Sequence, residues 1–552
     1  MSPGAKSLVA ALLAGVGAAV AAAQTPAAQA PVFGEIVEVR VVNLEVVVTD
    51  RDGLPVTGLA AGDFRLLVDG EEVPVAYFTE VRGGQAIEGG GAATEGAVAG
   101  VPDLVPGTPV GTSYLVFIDD YFSIARDRNR VLAALAQDLS RLGPEDRMAI
   151  VAWDGSGLEM LSTWSGSSNE LERALQKAQR RRAHGLARES ERKTFLGGLT
   201  RRGQPGTFAR GRPLDNRLEI DELRYAEMLE NQLRNVSSAA AAALRGFANP
   251  PGRKVMLLLS GGWPYDIPEF VTQQSGRVIV ESQVEHGSKL FAPVVETSNR
   301  LGYTVYAVDV PGLGNEAGID ASEAEAPAPG DGFGPFVRES NLQYTLQHVA
   351  AQTGGRALLN ATRTTVLASA AADTRTYYWL GFVPAWQGDD RARKIDVEVR
   401  RADLRVRSRA SYLDSSRGRE VSMAVESALM FGGASNMRPL ALSVSRPVRA
   451  SIGTMRVGIE LNVPAGELTL LPVGQQQVAQ LELRVAAIDE HGGRSEVTVL
   501  PVRLVLDAVP PPGQLVGYRT LLELRKARNR IAVALYDPAA GTIWSKTVEI
   551  EP

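Results

Sequence analysis

Tyr114-Leu115-Val116-Phe117-Ile118-Asp119-Asp120 is an unbroken apolar run closed by two carboxylates. Such a run suits a strand buried on both faces, as in a parallel sheet between helical layers. The stretch that follows keeps the same rhythm. Leu132, Leu135, Leu139 and Leu142 fall on one helical stripe. Residues 148–153 form a second apolar strand, residues 170–182 a charged helix, and residues 219–247 a long helix. Residues 255–259 are again wholly apolar and end in Ser260-Gly261-Gly262. A helix over 288–301, a strand over 303–310 and a helix over 342–352, stopped by Gly354-Gly355, complete the pattern. Strands alternating with helices of this length predict an α/β domain over residues 112–372, doubly wound around a mostly parallel sheet.

The flanks read differently. Val37, Val39 and Val41 alternate with polar residues, and Leu44, Val46 and Val48 alternate in the opposite phase. That switch predicts a bulge or bend near Val41 and Val42. Phe64, Leu66 and Val68 run out to a turn at Asp69-Gly70, and Val73, Val75 and Tyr77 return. Residues 33–82 therefore predict a small N-terminal β-module. Residues 83–111 are rich in Gly, Ala and Pro and predict a flexible linker. Residues 373–414 predict a β-extension that completes the parallel sheet or forms a hairpin beside it. Residues 420–552 alternate with no helical period and predict a C-terminal β-sandwich.

Composition excludes several chemistries. The 552-residue chain is long enough for about three domains. It has no cysteine, which removes disulfides, thiolate metal sites and thiol nucleophiles. Four scattered histidines, with neither an HExxH nor a GxSxG pattern, argue against zinc hydrolysis and a nucleophile elbow. A net charge of −5 argues against nucleic acid as a partner. Lys6, the apolar residues 8–20 and Ala21-Ala22-Ala23 predict a cleaved signal peptide over residues 1–23 and a periplasmic or secreted protein. No later segment reaches spanning length without charges.

Several motifs in order resemble a known family. Val46-Val47-Val48-Thr49-Asp50, Asp52-Gly53-Leu54-Pro55-Val56-Thr57-Gly58-Leu59, Asp63-Phe64 and Val68-Asp69-Gly70 are similar to the N-terminal signature of the VWFA-related family common in acidobacterial genomes. Thr353-Gly354-Gly355-Arg356-Ala357, Tyr377-Tyr378-Trp379-Leu380-Gly381-Phe382, and Arg393-Lys394-Ile395 leading to Arg409-Ala410-Ser411-Tyr412 match it too. The resemblance covers roughly residues 35–412. It implies a von Willebrand factor A (VWA) type α/β domain.

The resemblance also implies a site. VWA domains often carry a metal-ion-dependent adhesion site, with DxSxS after the first strand, a Thr from a second loop and an Asp after the fourth strand. Mg²⁺ is suited by such a set of oxygen ligands. Here Asp119 and Ser123 match the outer positions of the first element, and Tyr121 replaces its middle serine. Gly261 stands where the later carboxylate is expected, with Asp266 several residues on. Thr200 and Thr207 are candidates for the threonine. Asp119 and Ser123, with Asp120 or Asp266, are the candidate Mg²⁺ ligands. The alternative is that Asp119 and Asp120 serve the fold as acceptors at a strand end, with no cofactor.

The basic stretch 180–217 is either a contact for an acidic partner or anionic surface, or a mobile solvated loop. Trp153, Trp164 and Trp379 read as packing residues. The expected function is binding of a protein partner or adhesion in the cell envelope, without catalysis, through the loops 119–123 and 260–266. The alternatives are an envelope hydrolase using paired carboxylates and a structural component that self-assembles through its β-sandwich.

Overall fold

The computed structural model describes residues 41–87, 106–196, 215–247, 250, 252–272, 284–310, 334–359, 366–431, 437–490, 495–511 and 513–552. The predicted signal peptide lies outside them, as do Val37 and Val39. The described chain divides into two compact units, Arg40–Ser415 and Ser416–Pro552.

The first unit opens with five strands: β1 (Val42–Thr49), β2 (Phe64–Val68), β3 (Glu71–Val73), β4 (Tyr77–Arg82) and β5 (Gln85–Ile87). Asp69 and Gly70 both have positive φ, the backbone a tight β2–β3 turn requires. Gln85–Ile87 pairs with β4, so the start of the predicted linker is strand; residues 88–105 lie outside the described residues.

The α/β part follows as β6 (Thr112–Asp119), α1 (Ala125–Asp138), β7 (Arg147–Trp153), β8 (Leu158–Ser165), α2 (Ser168–Arg180), α3 (Gly185–Leu196), α4 (Asp215–Gly246), β9 (Arg253–Ser260), α5 (Ile267–Thr272), α6 (Gly287–Leu290), α7 (Ala292–Leu301), β10 (Tyr303–Asp309), α8 (Gly334–Gln352), β11 (Ala357–Leu358) and α9 (Val366–Thr374). The sheet runs β11-β10-β9-β6-β7-β8 and is parallel except for the β7–β8 pair at its edge. Every residue of β6 is buried, as an apolar run at the centre of a covered sheet must be. Tyr114, Val116 and Ile118 pack with Val131, Leu132 and Leu135 of α1, Leu171 and Leu175 of α2, and Val366 and Leu367 of α9. The other layer is supplied by α4, which lies against β6, β7 and α7, and by α7 and α8 against β10. Residues 239–243 of α4 are consecutive alanines, all buried, and their small side chains let this helix pack closely on more than one side.

The chain then returns to the opening module with β12 (Tyr377–Phe382), β13 (Arg391–Val399), β14 (Arg405–Arg407) and β15 (Ser411–Asp414). These strands do not complete the parallel sheet; β13 and β15 pair antiparallel, but in a sheet with β2 and β3. β12 inserts between β1 and β4, and β13 pairs with β2. The sheets β14-β1-β12-β4-β5 and β15-β13-β2-β3 enclose one core, with Leu44, Val46, Phe64, Leu66, Phe78, Tyr378, Leu380 and Ile395. Predicted module and predicted extension are thus two pieces of one β-sandwich. Short amphipathic strands bury their apolar faces only when such partners arrive, and here the partners are 336 residues apart (Leu380 opposite Leu44).

The second unit contains α10 (Arg417–Phe431) and the strands β16 (Arg438–Pro439), β17 (Ala441–Val444), β18 (Val448–Ser451), β19 (Thr454–Pro464), β20 (Leu471–Val473), β21 (Gln476–Asp489), β22 (Thr498–Leu506), β23 (Leu515–Arg525), β24 (Asn529–Asp537) and β25 (Thr542–Ile550). Its pairing is antiparallel apart from β16–β25. The predicted antiparallel β region is present, and its two sheets share a core of Val457, Ile459, Leu461, Leu481, Leu483, Ile531, Val533 and Trp544. The helix α10 was not expected. Val425, Ala428 and Leu429 lie one turn apart on one face, and they pack on Ala486, Ala532 and Ala534, whose small side chains make room for the helix.

Candidate functional site at the carboxyl ends of the sheet

The chain leaves β6 for β7 on one side, while β9 lies on the other. Open α/β sheets bind ligands outside the carboxyl ends of their strands at such a switch point. Asp119 ends β6 and Ser260 ends β9, so the sequence candidates do fall at this place.

The place is filled by the protein's own groups. Asp119 is fully buried. One carboxylate oxygen accepts from the backbone N–H groups of Tyr121 (3.0 Å) and Phe122 (3.1 Å). The other accepts from the Ser260 hydroxyl (2.7 Å) and the Trp263 indole N–H (2.8 Å). Four donors occupy the carboxylate's acceptor sites, the number two such oxygens normally accommodate. Burial pushes the Asp119 carboxyl up to about 6, against the pull of Ser260, Trp263 and the Phe122 backbone. Trp263 is itself fully buried and stacks on Phe291 at 5.5 Å between centroids.

Gly261 explains the missing carboxylate. A Cβ there would sit 2.3 Å from the Phe122 carbonyl oxygen, so the loop after β9 lies too close to the loop after β6 for any side chain. Gly262 has φ +96°, a conformation that favours glycine. The Gly-Gly pair turns the chain so that the next residue, Trp263, delivers its indole to Asp119.

Asp120 belongs to a separate network. Its oxygens accept from the guanidinium groups of Arg128 and Arg181, the latter at 2.7 Å. Arg128 has no exposed surface and also donates to the Arg181 carbonyl at 2.9 Å. Burial raises the Asp120 carboxyl above its ordinary value, and the two arginines oppose that rise. Tyr121 projects the other way and accepts from Arg188 at 2.7 Å, with the guanidinium also over its ring. Gly155 leaves room for the ring, because a Cβ there would fall 2.2 Å from Tyr121.

The basic stretch is therefore ordered over its first part. Arg181, Arg188 and Arg192 are mostly withdrawn from solvent, and residues 185–196 are helical. This corrects the expectation of a mobile solvated loop for that part. Residues 197–214, with Thr200 and Thr207, lie outside the described residues.

Asp119, Asp120 and Asp266 are each engaged by different groups of the protein. Ser123 is buried, and its hydroxyl has no hydrogen-bond partner among the described residues. Asp266 accepts from the Glu269 backbone at 2.8 Å, as a residue preceding a helix does. Among the described residues no cluster of three or more His, Asp or Glu side chains could hold a metal ion. The arrangement does not fit Mg²⁺: Asp119 is spent on internal donors, Asp120 on arginines and Asp266 on a helix cap.

Of the loops expected to form the binding face, 119–123 and 260–266, every residue but Tyr121, Tyr265 and Asp266 is buried. Exposed surface begins at Tyr265. A cleft of about 550 Å³ opens there, lined by Glu230, Arg234, Tyr265, Asp266, His286 and Lys289. Arg234 bridges Glu230 and Glu285. Tyr265 lies at the hub of a ring cluster with Tyr344 (4.7 Å), His286 (5.2 Å) and His348 (5.2 Å). Burial, and then the neighbouring His286, hold the His348 ring below its ordinary value. Tyr344 is 51% exposed. Of these residues only Tyr265 and Asp266 fall in a loop the sequence singles out, and only the folded chain brings α4, α6 and α8 to it.

No protein-family model matches this chain, and no curated protein matches it. Two solved structures show what it is similar to. The pilus adhesin SpaC from Lactobacillus rhamnosus GG aligns over 80% of this chain at 10% identity and a TM-score of 0.25. This chain spans 56% of that adhesin's length. An X-ray structure of a Northeast Structural Genomics Consortium target aligns over 21% of this chain and 88% of its own, at 11% identity and a TM-score of 0.14. Neither likeness assigns a fold. Among the described residues no helix is long and apolar enough to cross a membrane.

Proposed function

We propose that this chain is an exported protein whose α/β part is a VWA-type domain, and that it binds a protein partner in the cell envelope without a divalent cation at the strand ends. The strand order supports the domain reading: a central first strand, an antiparallel third strand at one edge, and the chain crossing over between β6 and β9. The observation that carries the metal-independent reading is the closure of Asp119 by Ser260 and Trp263. A carboxylate already holding four donors offers no position to a cation or to a partner's acidic side chain.

Recognition then falls to the neighbouring exposed surface. The cleft at Tyr265, with Tyr344 at its side, has the makeup of a protein contact: aromatic groups that give area at low entropy cost and an arginine among charged neighbours. Photo-crosslinking in cells from a reactive group placed at Tyr344 tests this. Crosslinks to an envelope protein are expected, diminished by His286→Ala with Lys289→Glu and unchanged by EDTA. Capture that EDTA abolishes, or that occurs only from distant surfaces, overturns the reading.

A further inference from the structure

The two sheets of the second unit end in unequal edges. Strand β22 pairs only with β21 among the described strands, and it carries Pro501 at its middle. A proline within an edge strand blunts it, because it offers no N–H to an incoming chain. Strand β23 pairs only with β19 among the described strands. It runs eleven residues in unbroken register from Leu515 to Arg525, with no proline, lysine or bulge. A long, regular edge strand of this kind is a template for another strand.

Its exposed face says which strand. Leu515, Gly517, Arg519, Leu521 and Glu523 point outward, with Leu521 37% exposed. Arg519 pairs across the sheet with Glu460 at 2.9 Å, and Glu523 lies opposite Arg456 at 3.9 Å. The charges flank Leu521 symmetrically and are opposite in sign. In an antiparallel pair of two such edges related by a two-fold axis at Leu521, Arg519 of each copy faces Glu523 of the other. The outer rows then read Glu460, Arg519, Glu523, Arg456 across the joined sheets, alternating in sign, with Leu521 against Leu521 between them. Centring the axis on Arg519 or on Glu523 opposes like charges, and centring it on Leu522 sets Arg519 against Arg525. Centring on Thr520 pairs no charges at all. Self-complementarity about one axis is what a closed two-fold interface requires.

We infer that a second copy of this chain adds to the β23 edge, joining the two β19–β23 sheets into one continuous antiparallel sheet. Opposite charges directly across a strand pair attract, and like charges repel.

Sedimentation equilibrium of the full chain tests this. A monomer–dimer equilibrium is expected at concentrations up to ~100 μM, the range in which modest interfaces associate. Arg519→Glu alone and Glu523→Arg alone each put like charges at both pair positions, and each is expected to weaken the dimer about tenfold or more. An equimolar mixture of these two variants restores opposite charges at both positions, so a heterodimer as tight as the wild-type dimer is expected. Leu521→Lys leaves the Glu460 and Arg456 pairs in place and sets two ammonium groups on the axis; it is expected to be a folded monomer. A wild-type monomer throughout the range, single variants that dimerise like the wild type, a mixture of folded variants that does not reassociate, or a Leu521→Lys dimer of undiminished strength each overturns the inference.

Discussion

Trp263→Phe separates a hydrogen-bonded plug from ordinary packing at the strand ends. The substitution keeps a ring to stack on Phe291 and removes the indole donor 2.8 Å from Asp119. Two losses follow. Shrinking a fully buried side chain costs roughly 1–2 kcal/mol at any pH. Removing a donor costs about 1.5–3 kcal/mol when the acceptor is charged, against ~1 kcal/mol when it is neutral. The second loss therefore depends on pH. The Asp119 carboxyl sits at about 6 in the fold, against 3.8 for an ordinary aspartate. A raised carboxyl contributes its stability below ~4 and loses it as pH rises through about 6; the gap corresponds to roughly 3 kcal/mol. Taking the indole away raises the folded carboxyl further, so the variant loses more than the wild type over the same rise. The destabilisation should be roughly 1 kcal/mol larger at pH 8 than at pH 4. Differential scanning calorimetry reads this as a gap between wild type and variant that widens by roughly 1–3 °C across the range in the transition of the first unit. A gap that stays constant or narrows as pH rises would show that Trp263 only fills space, and would refute the account of Asp119.

Four other outcomes are expected. Gly261→Ala forces a Cβ to within 2.3 Å of the Phe122 carbonyl and should destabilise the first unit by about 1–3 kcal/mol, seen in the same calorimetric transition. Arg128→Ala strips the buried Asp120 of one of its two cations and should cost about 3–5 kcal/mol, whereas a loss below ~1 kcal/mol would mean that Arg181 suffices alone. Millimolar Mg²⁺ or Mn²⁺ should leave the melting temperature unmoved, since a ligand of the native state raises it once its concentration exceeds its Kd. Leu429→Ala, which opens a hole between α10 and Ala532 and Ala534, should destabilise the second unit by about 2–5 kcal/mol in urea unfolding, with little effect on the first.

Much of the α/β part was legible because its signals are local. A strand covered on both faces reads as a continuous apolar run, and the central strands at Tyr114, Met148, Val255 and Tyr303 each show one. The helix at Val425 was also written locally, as apolar residues at helical spacing, but the alternating strands around it hid the change of period. The placing of Asp119 and Ser260 at strand ends was legible too, since each closes its apolar run; that the two strands are neighbours came from the fold. What those ends do was not. The Asp119 carboxylate is claimed by an indole 144 positions away and the Asp120 carboxylate by arginines 8 and 61 positions away, and no spacing rule joins such residues.

The sequence by itself determined the kinds of most elements, their order, and the turn at Asp69-Gly70, because hydrophobic period and turn chemistry act over a few residues. Tertiary structure alone decided which strands share a sheet. The aromatic strand Tyr377–Phe382 could have extended the parallel sheet by its own propensity, yet it lies between Val42–Thr49 and Tyr77–Arg82, where Tyr378, Leu380 and Phe382 find an apolar core to enter. The same holds at the strand ends. A buried carboxylate must be satisfied by whatever donors the fold brings within reach, and here the fold brought Ser260 and Trp263.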